Sequence, residues 1–407
     1  MNFSLEKTYN YLAALICVSI PFMTYAKAFV NICMICLFLI MVVSYNKDKV
    51  INIVNEKFFK AFTIFFIFIA ICSLFNGSFF EDFAESRKIA QIILLLILFS
   101  FVNDKRFLIY GFVTGVLVSS LITDLNILIY YLNSSELLIS KSSVEDLFIT
   151  QRLYLGFFVV ISIVLLSFLF QISNRNKQKV FYALLILFFI FSLFLISSRS
   201  AILIAFLLFL ITIIYKSKSV FTIGVLLASF VIFSTIIITN KNLSNRFLYS
   251  QDSVRTSFIE KIKTHEPRYD IWRFSLQIFD EQNLGFFGLG TYKTQELLVE
   301  KYKLMSIDNR KNWFIQRNFN THNQYIDIIL SFGFLGLILF AVFIREIILK
   351  TYKNVYSLNL TLSLILFLVI ENLFHRQLGS FILALTIVIA VHIINSQNEK
   401  DISSRLA

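Results

Sequence analysis

Long apolar stretches recur along most of the chain, and each is close to the length that a helix needs to cross a membrane. A bilayer core takes about 20 mostly apolar residues per helix. Because backbone polar groups in lipid need internal hydrogen bonds, and because the runs are too long and continuous for barrel strands, they predict α-helices. Twelve runs occur, at residues 9–26, 28–44, 58–75, 89–102, 107–131, 153–171, 180–196, 200–215, 220–239, 323–344, 357–374 and 380–395.

Composition agrees with this pattern. The chain is 57% hydrophobic and 15% charged, with 48 Phe, whereas soluble domains are about half apolar and a quarter charged. The sequence therefore predicts an all-α, polytopic integral membrane protein with about 12 transmembrane helices. The runs divide it into helices one to nine at 1–239, a long loop at 240–321, and the last three helices with a tail at 322–407.

The distribution of Lys and Arg over the short loops predicts the orientation, because cytoplasmic loops carry the excess. With a cytoplasmic amino terminus, 17 of the 37 Lys and Arg residues fall inside and 13 fall in the long loop. Both termini are then cytoplasmic, and the long loop is outside. Part of the net charge of +12 is thus explained by the Lys and Arg residues of the cytoplasmic loops. The sequence contains no basic patch that would indicate a nucleic-acid partner. The seven in short segments on the outer side are Lys27, Arg87, Lys88, Lys141, Arg152, Arg199 and Arg376.

Most of these outside cations lie at or near the start of a helix. This placement conflicts both with the charge rule for loops and with the helix dipole, whose positive end disfavours cations. A bound anion would compensate, since free N–H groups and guanidinium groups together form an anion site. Taken singly, side chains such as Lys27 and Lys141 also fit a simpler interpretation, in which they extend to the lipid head groups. Arg199 is different, because "SSRSA" leaves almost no loop and holds it at the rim of the bundle.

A histidine opens the tenth run, in "NTHNQYID". Thr321 and Gln324 have the spacing of a capping box, which predicts His322 at the first helical position. There the helix dipole disfavours imidazolium, so a neutral ring beside an anion site is a candidate general base. The alternative is an interfacial histidine bonded to a loop carbonyl.

The long loop contains one clear amphipathic segment, "EPRYDIWRFSLQIF". Pro267 suits the first position of a helix, and the apolar side chains of Trp272, Leu276 and Phe279 follow at helical spacing. We expect this helix to lie along the membrane surface. Arg268 falls in its first turn, where an anion would explain it, and Arg273 is a turn further on.

In the eleventh run Glu371 lies near the outer end, followed by His375 and Arg376. A buried carboxylate needs a partner, so Glu371 either pairs with Arg376 or orients His322. The chain contains no Walker A motif, no H-E-x-x-H and no D-x-D. The sequence therefore predicts no nucleotide, no metal and no other cofactor.

Four stretches, in this order and topology, resemble the bacterial O-antigen ligase and polymerase superfamily: "SSRSA", "PRYDIW" with "FGLG", "HNQYIDIILSFGFLG" and "ENLFHRQLGS". The resemblance implies a GT-C-like architecture with one large periplasmic loop. It places the family's histidine on His322, the arginine before a helix on Arg199, and the loop arginine on Arg268 with Arg273 as a possible second. Arg87, Arg376 and Glu371 are possible supporting residues, and the match at Glu371 is loose.

The resemblance implies a metal-independent glycosyltransferase of the bacterial inner membrane, with its active site facing the periplasm. An O-antigen ligase in lipopolysaccharide biosynthesis moves a glycan from undecaprenyl pyrophosphate to lipid A core, inverting the anomeric centre. A polymerase, the alternative, extends the glycan on its lipid carrier. A flippase or exporter of the same lipid would also need an outer basic cavity, though such transporters tend to contain repeats and broken helices. A purely structural membrane protein is the remaining possibility, in which His322 has no role.

Overall fold

The computed structural model describes residues 3–76, 79–134, 142–217, 221–250, 257–282 and 284–406, and Lys141 lies outside these ranges. The chain is 85% helical, with no strand among the described residues. Six shorter helices connect the longer ones or form the long loop: α3 (Lys47–Asn55), α11 (Lys241–Leu248), α12 (Phe258–His265), α13 (Pro267–Glu281), α14 (Thr291–Lys303) and α15 (Asp308–Arg317). The longer ones are α1 (Phe3–Ser19), α2 (Met23–Val43), α4 (Lys57–Phe75), α5 (Phe79–Phe101), α6 (Arg106–Ser134), α7 (Arg152–Ile172), α8 (Asn176–Ile196), α9 (Arg199–Lys216), α10 (Phe221–Thr239), α16 (Gln324–Thr351), α17 (Val355–Leu368) and α18 (Gln377–Leu406).

The prediction of an all-α polytopic membrane protein is confirmed. Each of the longer helices contains most of one apolar run, although the first run, 9–26, continues past α1 through a short 3-10 helix (Ile20–Phe22) into α2. Within the described ranges, nine helical segments are long and apolar enough to cross a membrane, and one of them, Leu5–Val43, joins α1 and α2. The predicted eleventh helix is too long at its end: α17 stops at Leu368, and the next eight residues turn back instead of continuing the helix.

The helices differ in how deeply they lie in the bundle. In α18 and α7, 83% and 78% of the apolar window is buried by protein, whereas in α10 none of it is. Aromatic side chains fill the centre, where the rings of Phe157 and Phe367 stack with centroids 3.9 Å apart. Burial of α17 and α18 by their neighbours fixes the turn between them, and this turn carries Glu371 and Arg376.

The long loop folds as a unit with its own apolar core, in contrast to the single surface helix that the sequence predicts. Ile271, Phe274 and Ile278 of α13 pack with Tyr302 and with Phe314. Side chains of the first half of α16 complete this core. The buried face of α13 is thus rotated from the predicted one. Leu276 is 59% exposed, and the indole of Trp272 donates to the Thr321 carbonyl at 3.1 Å.

A break in α16 joins the loop unit to the bundle. Gly333 has φ 67, inside the helix. There the "FGLG" segment hydrogen-bonds to α16, as in the bond from Gly290 N–H to the Ser331 carbonyl at 2.8 Å. A Cβ atom on Gly333 would lie 2.5 Å from the Phe286 backbone. Glycine at this position therefore makes the opening into which the loop inserts.

Candidate active site

His322 lies just before α16, and the predicted capping box is wrong. Asn323 caps the helix, and its side chain accepts from two backbone N–H groups of the first turn. Gln324 instead accepts from the N–H of Phe374 at 3.1 Å. His322 has φ 43, a left-handed conformation that costs energy in a residue with a side chain. Its imidazole is therefore positioned by the loop and its neighbours and not by the first helical turn.

The partner of His322 is Glu371, in the turn after α17. The His322 Nδ1 atom lies 3.1 Å from Glu371 Oε2, and the carboxylate is 2% exposed. An ionised carboxylate only accepts, so Nδ1 carries the proton and donates. Among the described residues Nε2 makes no hydrogen bond, and 15% of the histidine side chain is exposed. When the ring is neutral, Nε2 keeps a free lone pair, and a ring held by a carboxylate in this way has the arrangement of an oriented general base.

Two arginines flank the same carboxylate, one near each oxygen. Arg268 Nη2 lies 4.0 Å from Glu371 Oε2, and its Nε donates to the Ile370 carbonyl at 3.1 Å. Arg376 Nε lies 3.6 Å from Oε1, while its Nη1 donates to Gln151 at 2.6 Å. Glu371 is therefore at the centre of the site. It makes both of the contacts that the sequence predicts, one with Arg376 and one with His322.

Arg199 completes the cluster on the side of Arg268. At the first position of α9, its guanidinium lies 2.5 Å from Glu266 and donates to the Arg246 carbonyl at 2.9 Å and to the Tyr249 hydroxyl at 3.0 Å. Burial lowers the pKa of Arg268, as does the positive charge of Arg199, while Glu371 and Glu266 raise it. Two neighbouring guanidinium groups that repel each other favour a multiply charged anion between them.

A buried hydrogen-bond network holds the two segments that carry His322 and Glu371. The Thr321 hydroxyl accepts from Asn372 at 2.7 Å and donates to Asp327 at 3.2 Å. Asp327 also lies 2.9 Å from the His375 Nε2. Because all of these groups are buried or nearly so, their bonds fix the distance between the loop before α16 and the turn after α17.

Two predicted residues lie apart from Glu371. Arg273 pairs with Asp270 on its own helix at 3.0 Å, and its side chain is 48% exposed. Arg87 lines a cavity between α2, α5 and the start of α18, which Arg376 also lines. The structure thus brings His322, Arg199, Arg268, Arg376 and Glu371 together and leaves Arg273 outside this group.

Three features of the site were not predicted from the sequence: Glu266, Tyr249 and the hydrogen bonds of Thr321. Glu266 caps α13 directly before Pro267, so the order Glu-Pro-Arg could have indicated a carboxylate beside Arg268. Nothing in the sequence pairs Tyr249 with Arg199, because the contact depends on how α11 packs on α9. Within the described ranges no three His, Cys, Asp or Glu side chains are grouped so as to hold a metal ion.

The charge state of Glu371 follows from its surroundings. Burial raises the pKa of this carboxyl. The hydrogen bond with His322 and the charges of His322, Arg376 and Arg268 lower the pKa by more than burial raises it, so the pKa is below its ordinary value of 4.5. A carboxyl with a lowered folded-state pKa stabilises the fold above its unfolded pKa. Its contribution is lost as pH falls through the folded-state pKa.

We expect Glu371→Gln to lower the free energy of unfolding at pH 7 by about 2 kcal/mol, because a buried charged hydrogen bond is lost. The difference from wild type should shrink as pH falls below 4.5, where the carboxyl of the unfolded chain begins to protonate, and should vanish once pH has passed through the lower folded-state pKa. Melting temperatures of both proteins across this range measure it. Glu296→Gln removes a half-exposed ion pair with Lys293 and should change little at any pH. A constant difference between wild type and Glu371→Gln would contradict the assignment.

Comparison with known proteins agrees with the first three of the four motifs. The family model described as O-Antigen ligase matches residues 183–341, which include Arg199, Arg268 and His322 and end before Glu371 and Arg376. A comparison with curated proteins finds no match. The resemblance to the superfamily of O-antigen ligases and polymerases is confirmed by the family match.

Proposed function

We propose that this chain, which carries a domain of the O-antigen ligase family at residues 183–341, is an O-antigen ligase. It would transfer a glycan from undecaprenyl pyrophosphate to lipid A core at the periplasmic face of the inner membrane. The observation that carries the proposal is the contact of His322 with Glu371, beside the guanidinium groups of Arg268 and Arg199. The proposed base and the proposed anion site are thus adjacent, and glycan transfer from a diphosphate requires both.

The proposed donor site lies between Arg199 and Arg268. In the resting protein Glu266 neutralises Arg199, so a diphosphate would compete with a carboxylate for the same guanidinium. Two arginines can hold a diphosphate through several charge-assisted hydrogen bonds and stabilise the charge that grows on it as it leaves. No metal is needed for this stabilisation if the guanidinium groups supply the positive charge.

The proposed reaction is a single displacement. An acceptor hydroxyl attacks the anomeric carbon while Nε2 of His322 takes its proton, and the bond from that carbon to the phosphate oxygen breaks. Attack opposite the leaving group inverts the anomeric centre. Glu371 would hold the ring with Nδ1 protonated and stabilise the imidazolium that forms, as the acid of a catalytic triad does.

The test is formation of the glycosidic bond by purified protein in proteoliposomes, without ATP. Labelled carrier-linked glycan is supplied with lipid A core in one sample and with a second carrier-linked glycan in another. Label on lipid A core is the result expected of a ligase. Label on longer carrier-linked chains would overturn the ligase assignment in favour of a polymerase. Movement of the lipid across the bilayer without a new bond would overturn the enzyme assignment.

A further inference from the structure

A second basic cavity lies next to the proposed active site, on the far side of Arg376. It is an open cavity lined by α2, α5 and the start of α18, and its volume is about 800 Å³. No residue of the described lining is acidic. Four cations line it, namely Lys27, Arg87, Lys88 and Arg376.

The lining changes in character with depth. On each of the two long helices a cation, an amide and an apolar side chain follow at successive turns on one face. Seven residues of helix rise about 10 Å, so the charged side chains lie at one end of the cavity and the apolar side chains lie about two turns deeper. An amphiphile with an anionic head and a hydrocarbon chain fits this gradient. The two series are Lys27, Asn31 and Met34 on α2 and Arg87, Gln91 and Leu94 on α5.

Among the described residues, two of the four positive charges of this cavity have no partner in the protein. In the segments of the chain that the structure describes, Lys27 and Arg87 make no hydrogen bond or ion pair. Lys88 donates to the His375 carbonyl at 2.9 Å, which ties α5 to the turn that carries Glu371. Arg87 lies two turns inside α5 and not at the helix start that the sequence predicts. The charges of Lys27 and Arg87, which no described side chain compensates, favour a bound anion.

Arg376 belongs to both sites. Its Nε lies 3.6 Å from Glu371 Oε1, while His322 and Arg268 are on the side of Oε2. A phosphate bound in the cavity would thus be separated from the diphosphate at Arg268 by the carboxylate that orients the proposed base. A head group held here would keep its lipid beside the proposed reacting centre, on the side of Glu371 that faces away from the proposed donor site.

We infer that this cavity binds the phosphate-bearing head group of a second lipid, and that this lipid is the acceptor of the transfer. The inference rests on the proposed function for the acceptor role, but the binding site itself does not depend on it. Phosphorylated lipid A and a carrier-linked diphosphate share the chemistry that the cavity recognises. A bulk phospholipid whose head group meets extended lysine and arginine side chains is the competing source.

Binding is tested by counting lipid molecules retained by the purified full-length protein in native mass spectrometry, with farnesyl diphosphate as the first probe. Wild type should retain two molecules, one at each basic site. Lys27→Ala with Arg87→Ala should retain one, since losing two charged contacts weakens binding about tenfold or more. Arg268→Ala should also retain one, by loss of the other site.

The matched control is Arg175→Ala with Lys177→Ala, which removes the same charge from the start of α8 at the opposite end of the bundle. It should retain two molecules. If the Lys27 and Arg87 double variant also retains two with every probe, the cavity is not a phosphate site. The inference would be overturned as well if wild type retains only the molecule that Arg268→Ala removes.

Two more probes identify the source. If the protein retains lipid A, and this retention depends on Lys27 and Arg87, the acceptor is that of a ligase. If the cavity retains farnesyl diphosphate but not lipid A, the acceptor is a carrier-linked glycan. Phosphatidylglycerol retained equally well would overturn the acceptor role. In the transfer assay the double variant should raise the acceptor KM about tenfold or more with kcat and donor KM unchanged. Bond formation with an unchanged acceptor KM would overturn this inference while the proposed function stands.

Discussion

Replacing His322 with alanine is expected to slow glycan transfer about 100- to 10,000-fold, the range that a positioned general base contributes. The imidazole of His322 contacts Glu371 through Nδ1, which leaves Nε2 free to take the proton of the acceptor hydroxyl. The donor should bind the variant with little change, because the arginines remain. Single-turnover transfer with saturating donor measures the loss in the chemical step.

His322→Asn separates the proton-accepting role from a structural one. An asparagine amide can still donate to Glu371 from about the position of Nδ1, but it has no basic nitrogen in place of Nε2. We expect it to be as inactive as His322→Ala while melting close to the wild-type temperature. Full transfer activity in either variant would mean that another group takes the proton.

Arg268→Ala is expected to slow transfer about 100- to 1,000-fold, as removal of one preorganised donor to a developing negative charge does. Arg268 is largely buried and lies between Glu371 and Arg199, where a leaving diphosphate would need it. Arg268→Lys should restore little, because a lysine offers one ammonium in place of a planar fork of donors. Rates at saturating and limiting donor separate lost binding from lost stabilisation of the transition state.

Arg273→Ala is the matched control, on the same helix and with the same change in charge. Its guanidinium pairs with Asp270 and is half exposed, so we expect transfer within about threefold of wild type. Equal losses in the two variants would show that both loop arginines hold the donor, as the sequence motif alone allows. A loss confined to Arg273→Ala would place the diphosphate elsewhere.

The membrane helices could be predicted from sequence because each is specified locally. About 20 apolar residues in a row can form a helix that places apolar side chains in the lipid and pairs its own backbone hydrogen-bonding groups, whatever the neighbouring helices are. The loop was harder: α13 was located from Pro267, but its buried face was assigned only in part, since Trp272 and Phe279 lie at the edge of the core and Leu276 is exposed. Trp272 and Leu276 are apolar, yet which apolar side chains of a helix are buried depends on the helices that pack against it.

The residues of the site also divide into those that local sequence predicts and those that depend on distant contacts. Arg199, Arg268 and His322 could be chosen because cations and a histidine at helix starts conflict with elementary electrostatics. The capping box failed because Thr321 and Gln324 bond to the turn after α17, and no local pattern reports partners that lie about 50 residues away. Glu266, which neutralises Arg199, was missed for the same reason.

By itself, the sequence determined that this is a polytopic helical membrane protein with a family's motifs in order, since hydropathy and short motifs are properties of contiguous residues. Only the tertiary structure decided that Glu371 meets His322 through one oxygen and approaches Arg376 through the other. Such contacts join two segments that lie about 50 residues apart in the chain, and their geometry is set by packing at the ends of α16, α17 and α18. A charge pattern can indicate that an anion is needed, but only the fold determines which charges surround it.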